Sequence, residues 1–238
     1  VSPLSDELLL MLLVVGLYLY DSGLLLFCNE GILVPVAKGW KIQFGFREPR
    51  IAGKELFLPA PWLLHRPMYR LAWQFEGANS QTHAPARDLI RRAPPILVLL
   101  VWSIAMVLFL LLPLGLFTSL GSRILVAAAG LLYLGIVFAL SYLWAYRETM
   151  GLTGKQVGKL AFEYLICPPF ALNLIRAVSL AQPAREDLIS AARRLETTEA
   201  WNATREQLLI RLDEEIEMED ETSARMAGLR NQRAQLVE

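Results

Sequence analysis

Residues 94–146 read PPILVLLVWSIAMVLFLLLPLGLFTSLGSRILVAAAGLLYLGIVFALSYLWAY. Ile96 to Phe117 is 22 residues without a charge, and Ile124 to Tyr146 is 23. As helices at ~1.5 Å per residue, each covers roughly 33 Å, against the ~30 Å hydrocarbon core of a bilayer. Only Thr118 to Arg123 separates them, so they form an antiparallel hairpin. A soluble core rarely holds uncharged runs this long, and the expected reading is a transmembrane hairpin over 94–147. Pro94 and Pro95 suit its start, where a missing N–H costs nothing. Pro113 predicts a kink toward its far end. Ala128, Leu132, Gly135 and Ala139 recur at helical spacing in the second run. That stripe of mostly small residues lets another helix approach closely, and Ala128, Gly135 and Ala139 are the expected packing positions.

The rest of the chain is less apolar. Of 238 residues, 55% are hydrophobic and 19% charged, which fits a few spans with substantial parts outside the membrane. The net charge is zero, so there is no general pull toward nucleic acid. Arg outnumbers Lys 18 to 5, which we read as a GC-rich bacterial genome.

Leu8 to Cys28 is a third apolar stretch, interrupted at Asp21-Ser22-Gly23. Asp6 and Glu7 precede it in place of the basic residues of a secretory leader, and Phe27 does not suit lipoprotein cleavage before Cys28. It is read as a retained first span, 1–28. The following segment, Asn29 to Ala93, carries ten Lys and Arg against five Asp and Glu, whereas the short turn between the later spans has Arg123 alone. The positive-inside rule then sets the topology in the inner (plasma) membrane. The N-terminus is outside, the basic loop 29–93 cytoplasmic, and everything after 147 cytoplasmic. Arg66, Arg87, Arg91 and Arg92 are candidate contacts for anionic lipid headgroups.

Within that loop, Trp40 to Arg47 and Tyr69 to Glu76 alternate apolar and polar residues, the period of half-buried strands. Ile32–Val36 and Glu55–Leu58 supply further strand candidates, with turns expected at Lys38-Gly39, Glu48-Pro49 and Gly53-Lys54. A small antiparallel β unit is expected over 31–76, followed by a polar linker at 77–86. Residues 148–183 are apolar but contain Glu163, Pro168-Pro169, Asn173 and Arg176, so a broken interfacial or re-entrant helix pair fits better than a full span. Residues 184–238 read as a helical cytoplasmic tail. Its acidic run, Asp213 to Glu221, complements the basic β unit, on which the tail is expected to dock. The expected fold is an α-helical integral membrane protein with three transmembrane helices, a small cytoplasmic β unit and a helical tail.

The chain contains two histidines, His65 and His83, both in the basic loop, so no span offers a haem ligand. Cys28 and Cys167 form no metal-binding spacing, and no phosphate loop, zincin helix or nucleophile elbow occurs. No cofactor or metal is expected. Asp21 stands out as an acid in or beside a span. It is read as a proton-transfer or ion-pairing group, as a residue at the inner interface, or as the cap of a helix break. Glu163 and Arg176 flank the Pro-Pro pair and can meet if the segment folds back. Asp21, Glu163 and Arg176 are therefore the candidate polar site.

With no catalytic constellation, the leading expectation is a non-enzymatic membrane scaffold or accessory subunit. Its partners are membrane lipid and another membrane or cytoplasmic protein, or a second copy of itself. A small oligomeric transporter or channel component using Asp21 is the alternative, and a lipid-acting membrane enzyme is the third.

Overall fold

Uncharged helices form where side chains leave the backbone nothing better to bond. The computed structural model describes residues 5–37, 39–73, 94–119, 121–182, 187–219 and 223–237. It is mostly helical, with two small antiparallel three-stranded sheets. The chain divides into two compact units. The first comprises Val1–Leu24, Leu58–Pro67 and Arg92–Gln182; the second comprises Leu25–Phe57, Met68–Arg91 and Pro183–Glu238.

The first unit opens with α1 (Asp6–Ser22), capped by the Ser5 hydroxyl, which accepts from the Leu8 N–H at 3.4 Å. The helix stops well before Cys28. The Ser22 hydroxyl turns back onto the Tyr18 carbonyl at 2.8 Å, Gly23 is extended, and Leu24–Leu26 is already a strand. A first span reaching Cys28 is thus corrected. At 17 residues α1 is about 26 Å long, short of a bilayer core. Among the described residues two helices, not three, are long and apolar enough to cross a membrane: α2 (Pro95–Phe117) and α3 (Gly121–Ala145).

Pro113 lacks an N–H, and its ring crowds the carbonyl four residues back. Helix α2 accommodates this with a π-helical turn at Val107–Leu111, which ends two positions ahead of the proline. Such widened turns are one recognised cause of a local helix irregularity. Leu97, Val101, Ile104 and Leu108 form one buried stripe on α2 and pack in the same core as Ile136, Ala139, Leu140 and Leu143 of α3. Ala128 and Ala139 are buried, and a Cβ on Gly135 would lie 3.5 Å from Ile104. The tightest approach is elsewhere: a Cβ on Gly115 would come within 2.8 Å of the Leu125 side chain. The outward faces carry Leu99, Met106 and Leu110 on α2 and Val126, Leu134 and Phe138 on α3, with Val126 74% exposed.

After α3 comes α4 (Gly154–Ile166), started by a capping box in which Thr153 and Gln156 bond each other's backbone. It ends at Cys167 because Pro168 and Pro169 offer no N–H to continue it. A 3₁₀ turn (Pro168–Asn173) leads into α5 (Leu174–Leu180).

In the second unit, β1 (Leu24–Leu26), β5 (Lys54–Phe57) and β4 (Phe46–Ile51) form one sheet, in that order. The other sheet has the order β3 (Gly39–Gln43), β2 (Glu30–Val36), β6 (Tyr69–Ala72). Leu33 lies opposite Ile42 on one side and Tyr69 on the other. The expected continuous strand 40–47 is broken in two, and its halves join different sheets. Gly45 sits at the break, where a Cβ would be 2.6 Å from that of Glu55. Glu48-Pro49 lies inside β4 and makes no turn; β4 is an edge strand, where proline is tolerated, and its register shifts between Phe46 and Arg50. The β4–β5 turn is Ala52-Gly53, both with positive φ, as a two-residue hairpin requires. Residues 74–93 lie outside the described residues, and with them the linker, His83, Arg87, Arg91 and Arg92.

The tail forms α6 (Leu188–Leu195), α7 (Thr198–Met218) and α8 (Ala224–Val237). Leu188, Ala192, Leu208, Leu212, Leu229 and Leu236 share one core with Leu33, Ile42 and Leu71 of the second sheet and with Trp73 just after β6. Charge ties the tail to the other sheet: Arg47 of β4 pairs with Glu214, and Arg211 lies 2.6 Å from Glu55 of β5. That second pair is 5% and 1% exposed. Arg211 also donates to the Gly45 carbonyl at 3.3 Å and stacks 4.5 Å over Phe44. The Glu55 Oε2 atom has no hydrogen-bond partner. Removing one partner of a buried pair strands the other charge, at about 3–5 kcal/mol, whereas apolar replacement of both is often tolerated. Arg211→Met should therefore cost about that much, and adding Glu55→Met should restore most of it, read by thermal unfolding in detergent.

Glu196 offers a pH-dependent counterpart. Its Oε1 accepts from the Ile42 N–H at 2.6 Å and from the Thr204 hydroxyl at 2.9 Å. Burial nevertheless raises its pKa above the ordinary 4.5. A raised acid pKa means the folded state holds its proton more tightly, so the group's ionisation removes stability as pH climbs through the folded value. Glu196→Gln keeps an accepting oxygen and removes the ionisation. Its melting temperature should gain on the parent as pH goes from about 4 to about 7; a constant difference over that range would contradict the assignment.

Candidate functional site

Tyr18, Asp21 and Ser22 fall at i, i+3 and i+4 on α1, which puts them on one face at the helix end. Asn173 and Arg176 sit three residues apart where the 3₁₀ turn becomes α5. Asn173 occupies the cap position of α5 but does not cap it, so its amide is free to reach α1. It donates to Asp21 Oδ2 at 2.8 Å, and its Oδ1 accepts from Arg176 Nη1 at 2.9 Å. The Ser22 hydroxyl lies 3.1 Å from the same Oδ1.

Arg176 is 2% exposed. Its second amino group, Nη2, donates to the carbonyls of Ala60 at 2.7 Å and Leu63 at 3.3 Å. Nη1 also lies 3.4 Å from both the Tyr18 hydroxyl and Ser22 Oγ. Tyr18 in turn donates to the Pro61 carbonyl. The cluster thus ties three separated segments together: the end of α1, the loop 58–67, and the 3₁₀–α5 junction. Asp21 and Arg176 do not touch. Their charges are linked through a neutral amide, and the guanidinium rests on backbone carbonyls, which are partial negative charges that need no proton.

The other sequence-selected residues lie apart from this cluster or serve it indirectly. Glu163 pairs with Lys159 at 3.7 Å, one helical turn away, and not with Arg176. Ala128, Gly135 and Ala139 belong to the α2–α3 packing described above. The backbone N–H of Arg66 donates to the Leu63 carbonyl at 3.3 Å, closing the loop that carries the Arg176 acceptors. His65 stacks on Trp102 at 6.2 Å. Cys28 donates its thiol hydrogen to Glu215 at 2.7 Å, and burial, reinforced by that carboxylate, pushes its pKa up to about 12. It is a neutral thiol at physiological pH and a poor nucleophile.

Sequence reasoning selected Asp21 and Arg176 but missed Asn173, Tyr18 and Ser22, and missed the carbonyls of Ala60 and Leu63. One signal was available: a single Asn inside an apolar run next to a proline pair needs partners, since a buried amide left unbonded is costly. Chemically, the arrangement is a clamp. It contains no nucleophile–base pair, and no group of three or more potential metal ligands occurs among the described residues. Comparison with protein-family models, characterised proteins and solved structures finds no match to this chain.

The clamp has a clear mutational order. Asp21→Asn keeps an oxygen to accept from Asn173 and should change stability by less than about 1 kcal/mol. Asn173→Leu removes the bridge, taking the donor from Asp21 and leaving Arg176 Nη1 only its two longer contacts to Tyr18 and Ser22, at about 1–3 kcal/mol for the loss. Melting temperatures in detergent would check the order; equal losses for the two variants would contradict it.

Proposed function

We propose that the chain is a non-enzymatic integral membrane scaffold or accessory subunit. In this reading the α2–α3 hairpin crosses a bacterial inner membrane, and the second unit docks partners on the cytoplasmic side. The observation that carries it is how the chemistry-bearing side chains are used. Asn173 and Arg176 give their polar atoms to internal bonds, Asp21 accepts from Asn173, Glu163 is paired with Lys159, and the Cys28 thiol is held on Glu215. Catalysis or ion passage needs side chains that exchange partners with a substrate. Groups locked to carbonyls and to one another serve architecture instead.

The membrane part of the proposal draws on the outward faces of α2 and α3. Leu99, Met106, Val126, Leu134 and Phe138 are exposed along helices with no charge between Pro95 and Phe117 or between Ile124 and Ala145. A water-facing helix presents polar residues on that side, and a lipid-facing one does not. Orientation follows from charge: Arg47, Arg50 and Lys54 in the second unit favour the cytoplasmic face over the single Arg123 of the turn.

The test is the mass of the full chain recovered in native nanodiscs, for the parent and for Asp21→Asn. The scaffold reading expects a stoichiometric heteromeric complex, unchanged in the variant. A homo-oligomer without another protein, whose ion flux in vesicles is lost in Asp21→Asn, would overturn it in favour of a small transporter.

A further inference from the structure

The chain after α3 does not run away from the α2–α3 hairpin. Gly154, at the start of α4, lies against the Trp144 ring, where a Cβ would be 3.7 Å away. Near the end of α4, the Leu165 carbonyl accepts from the Tyr133 hydroxyl at 3.4 Å. These two contacts are eleven residues apart on each helix, so α4 runs antiparallel to α3 and back along it. Eleven residues of helix are roughly 16 Å, or about half of a ~30 Å hydrocarbon core. The return limb closes the loop at its base. Gln156 donates to the Ala181 carbonyl at 3.3 Å, and Gln182 donates to the Met150 carbonyl at 3.1 Å. Residues 154–182 are therefore a closed hairpin, with its ends together near Trp144 and its tip at Cys167 and Pro168.

We infer that this hairpin enters the inner leaflet beside α3, and that the exposed face of α4 is covered by lipid acyl chains. The inference rests on the reading that α3 spans the membrane. Val157, Leu160 and Tyr164 turn inward. The opposite face changes character along its length. It carries Lys155 and Lys159 in the first half and Phe162, Leu165 and Ile166 in the second, with Phe162 68% and Ile166 67% exposed, and Glu163 at its edge is turned back onto Lys159 at 3.7 Å. A helix lying in water would keep polar residues along the whole of that face. A helix dipping into a leaflet needs cations where it meets the headgroups and apolar side chains deeper in.

Lys155 lies at the Trp144 level, where Tyr146 and Arg147 follow on α3's end, an aromatic and basic collar of the interfacial kind, and Lys159 lies about one turn further in, within snorkelling reach of the headgroups. The apolar residues lie at the Tyr133 level, in the middle of α3. The broken backbone at the tip is tolerable at that depth because it is covered by protein: Pro169, Ala171, Leu172 and Asn173 are buried. Asn173 and Arg176 lie on the return limb, so their network is sheltered from water, and the Ala60 and Leu63 carbonyls take the place of hydration around the guanidinium.

The experiment uses the full chain in vesicles of phosphatidylethanolamine and phosphatidylglycerol, with Cys28→Ser and Cys167→Ser as background. Single spin labels are placed at Lys155→Cys, Phe162→Cys, Ile166→Cys and, on α3, Leu134→Cys. All four positions are exposed, so the labels do not disturb packing. Collision with molecular oxygen and with a water-soluble nickel chelate reports depth. The inference expects Phe162 and Ile166 to match the oxygen-rich, nickel-poor signature of Leu134, with nickel collisions at Lys155 severalfold higher. Nickel access at Phe162 and Ile166 with Leu134 still in lipid would overturn the hairpin's insertion and leave the span intact. Nickel access at Leu134 would overturn the membrane reading and this inference together. Exclusion of both probes at Phe162 and Ile166 would place protein, not lipid, on the α4 face, and would equally overturn it.

Discussion

The first unit depends on a guanidinium buried without a carboxylate in contact. Arg176 takes its compensation from two backbone carbonyls, from the Asn173 amide oxygen, and at one remove from Asp21. A buried charge is tolerated only when its donors are satisfied, so those partners must stay where they are. That requirement fixes the loop 58–67 beside α5 and α1, although its contacts lie 43 residues from Tyr18 and 113 to 116 residues from Arg176 along the chain. It also explains why the 3₁₀ turn is needed. A continuous helix through Pro168-Pro169 is barred, and the turn delivers Asn173 and Arg176 to α1 at a spacing of three.

The second unit buries an arginine in the ordinary way. Arg211 meets Glu55 directly, with the Phe44 ring and the Gly45 carbonyl completing its surroundings. An arginine on carbonyls is solvated by neutral dipoles held in place, whereas an ion pair adds a charged partner whose own desolvation must be offset. The two arginines therefore divide the structural work: Arg211 joins the tail helix to the sheets, and Arg176 joins three strands of chain within a helical unit. In the proposed setting the difference is sensible. Carbonyls cannot be protonated, and they are available wherever a loop can be folded against a helix.

The α2–α3 hairpin was legible because an uncharged run of 22 residues has few alternatives. The docking of the acidic tail on the basic β unit was legible from charge, and Arg47 with Glu214 now carries part of it. The bounds of α1 were not legible: hydropathy continues through Leu24 to Cys28, and only the Ser22–Tyr18 bond and extended Gly23 end the helix. The strand 40–47 looked continuous because alternation does not register a crossing of sheets, which Gly45 permits by lacking a Cβ. Asp21 drew attention as an acid in an apolar run. Its partner is a lone amide 152 residues away, and no spacing rule connects them. The carbonyl acceptors of Arg176 have no sequence signature at all, since every residue carries one.

Arg176→Lys separates geometry from charge most directly. Lysine preserves the positive charge but has one nitrogen and cannot bridge Asn173 and the Ala60 and Leu63 carbonyls as a planar fork does. The melting temperature of the full chain in nanodiscs is the readout, with Arg176→Met alongside. If the fork organises the unit, the lysine variant loses nearly as much stability as the methionine variant. If lysine restores the parent's melting temperature, charge alone suffices, and the clamp is not what holds α1, the loop and the hairpin together.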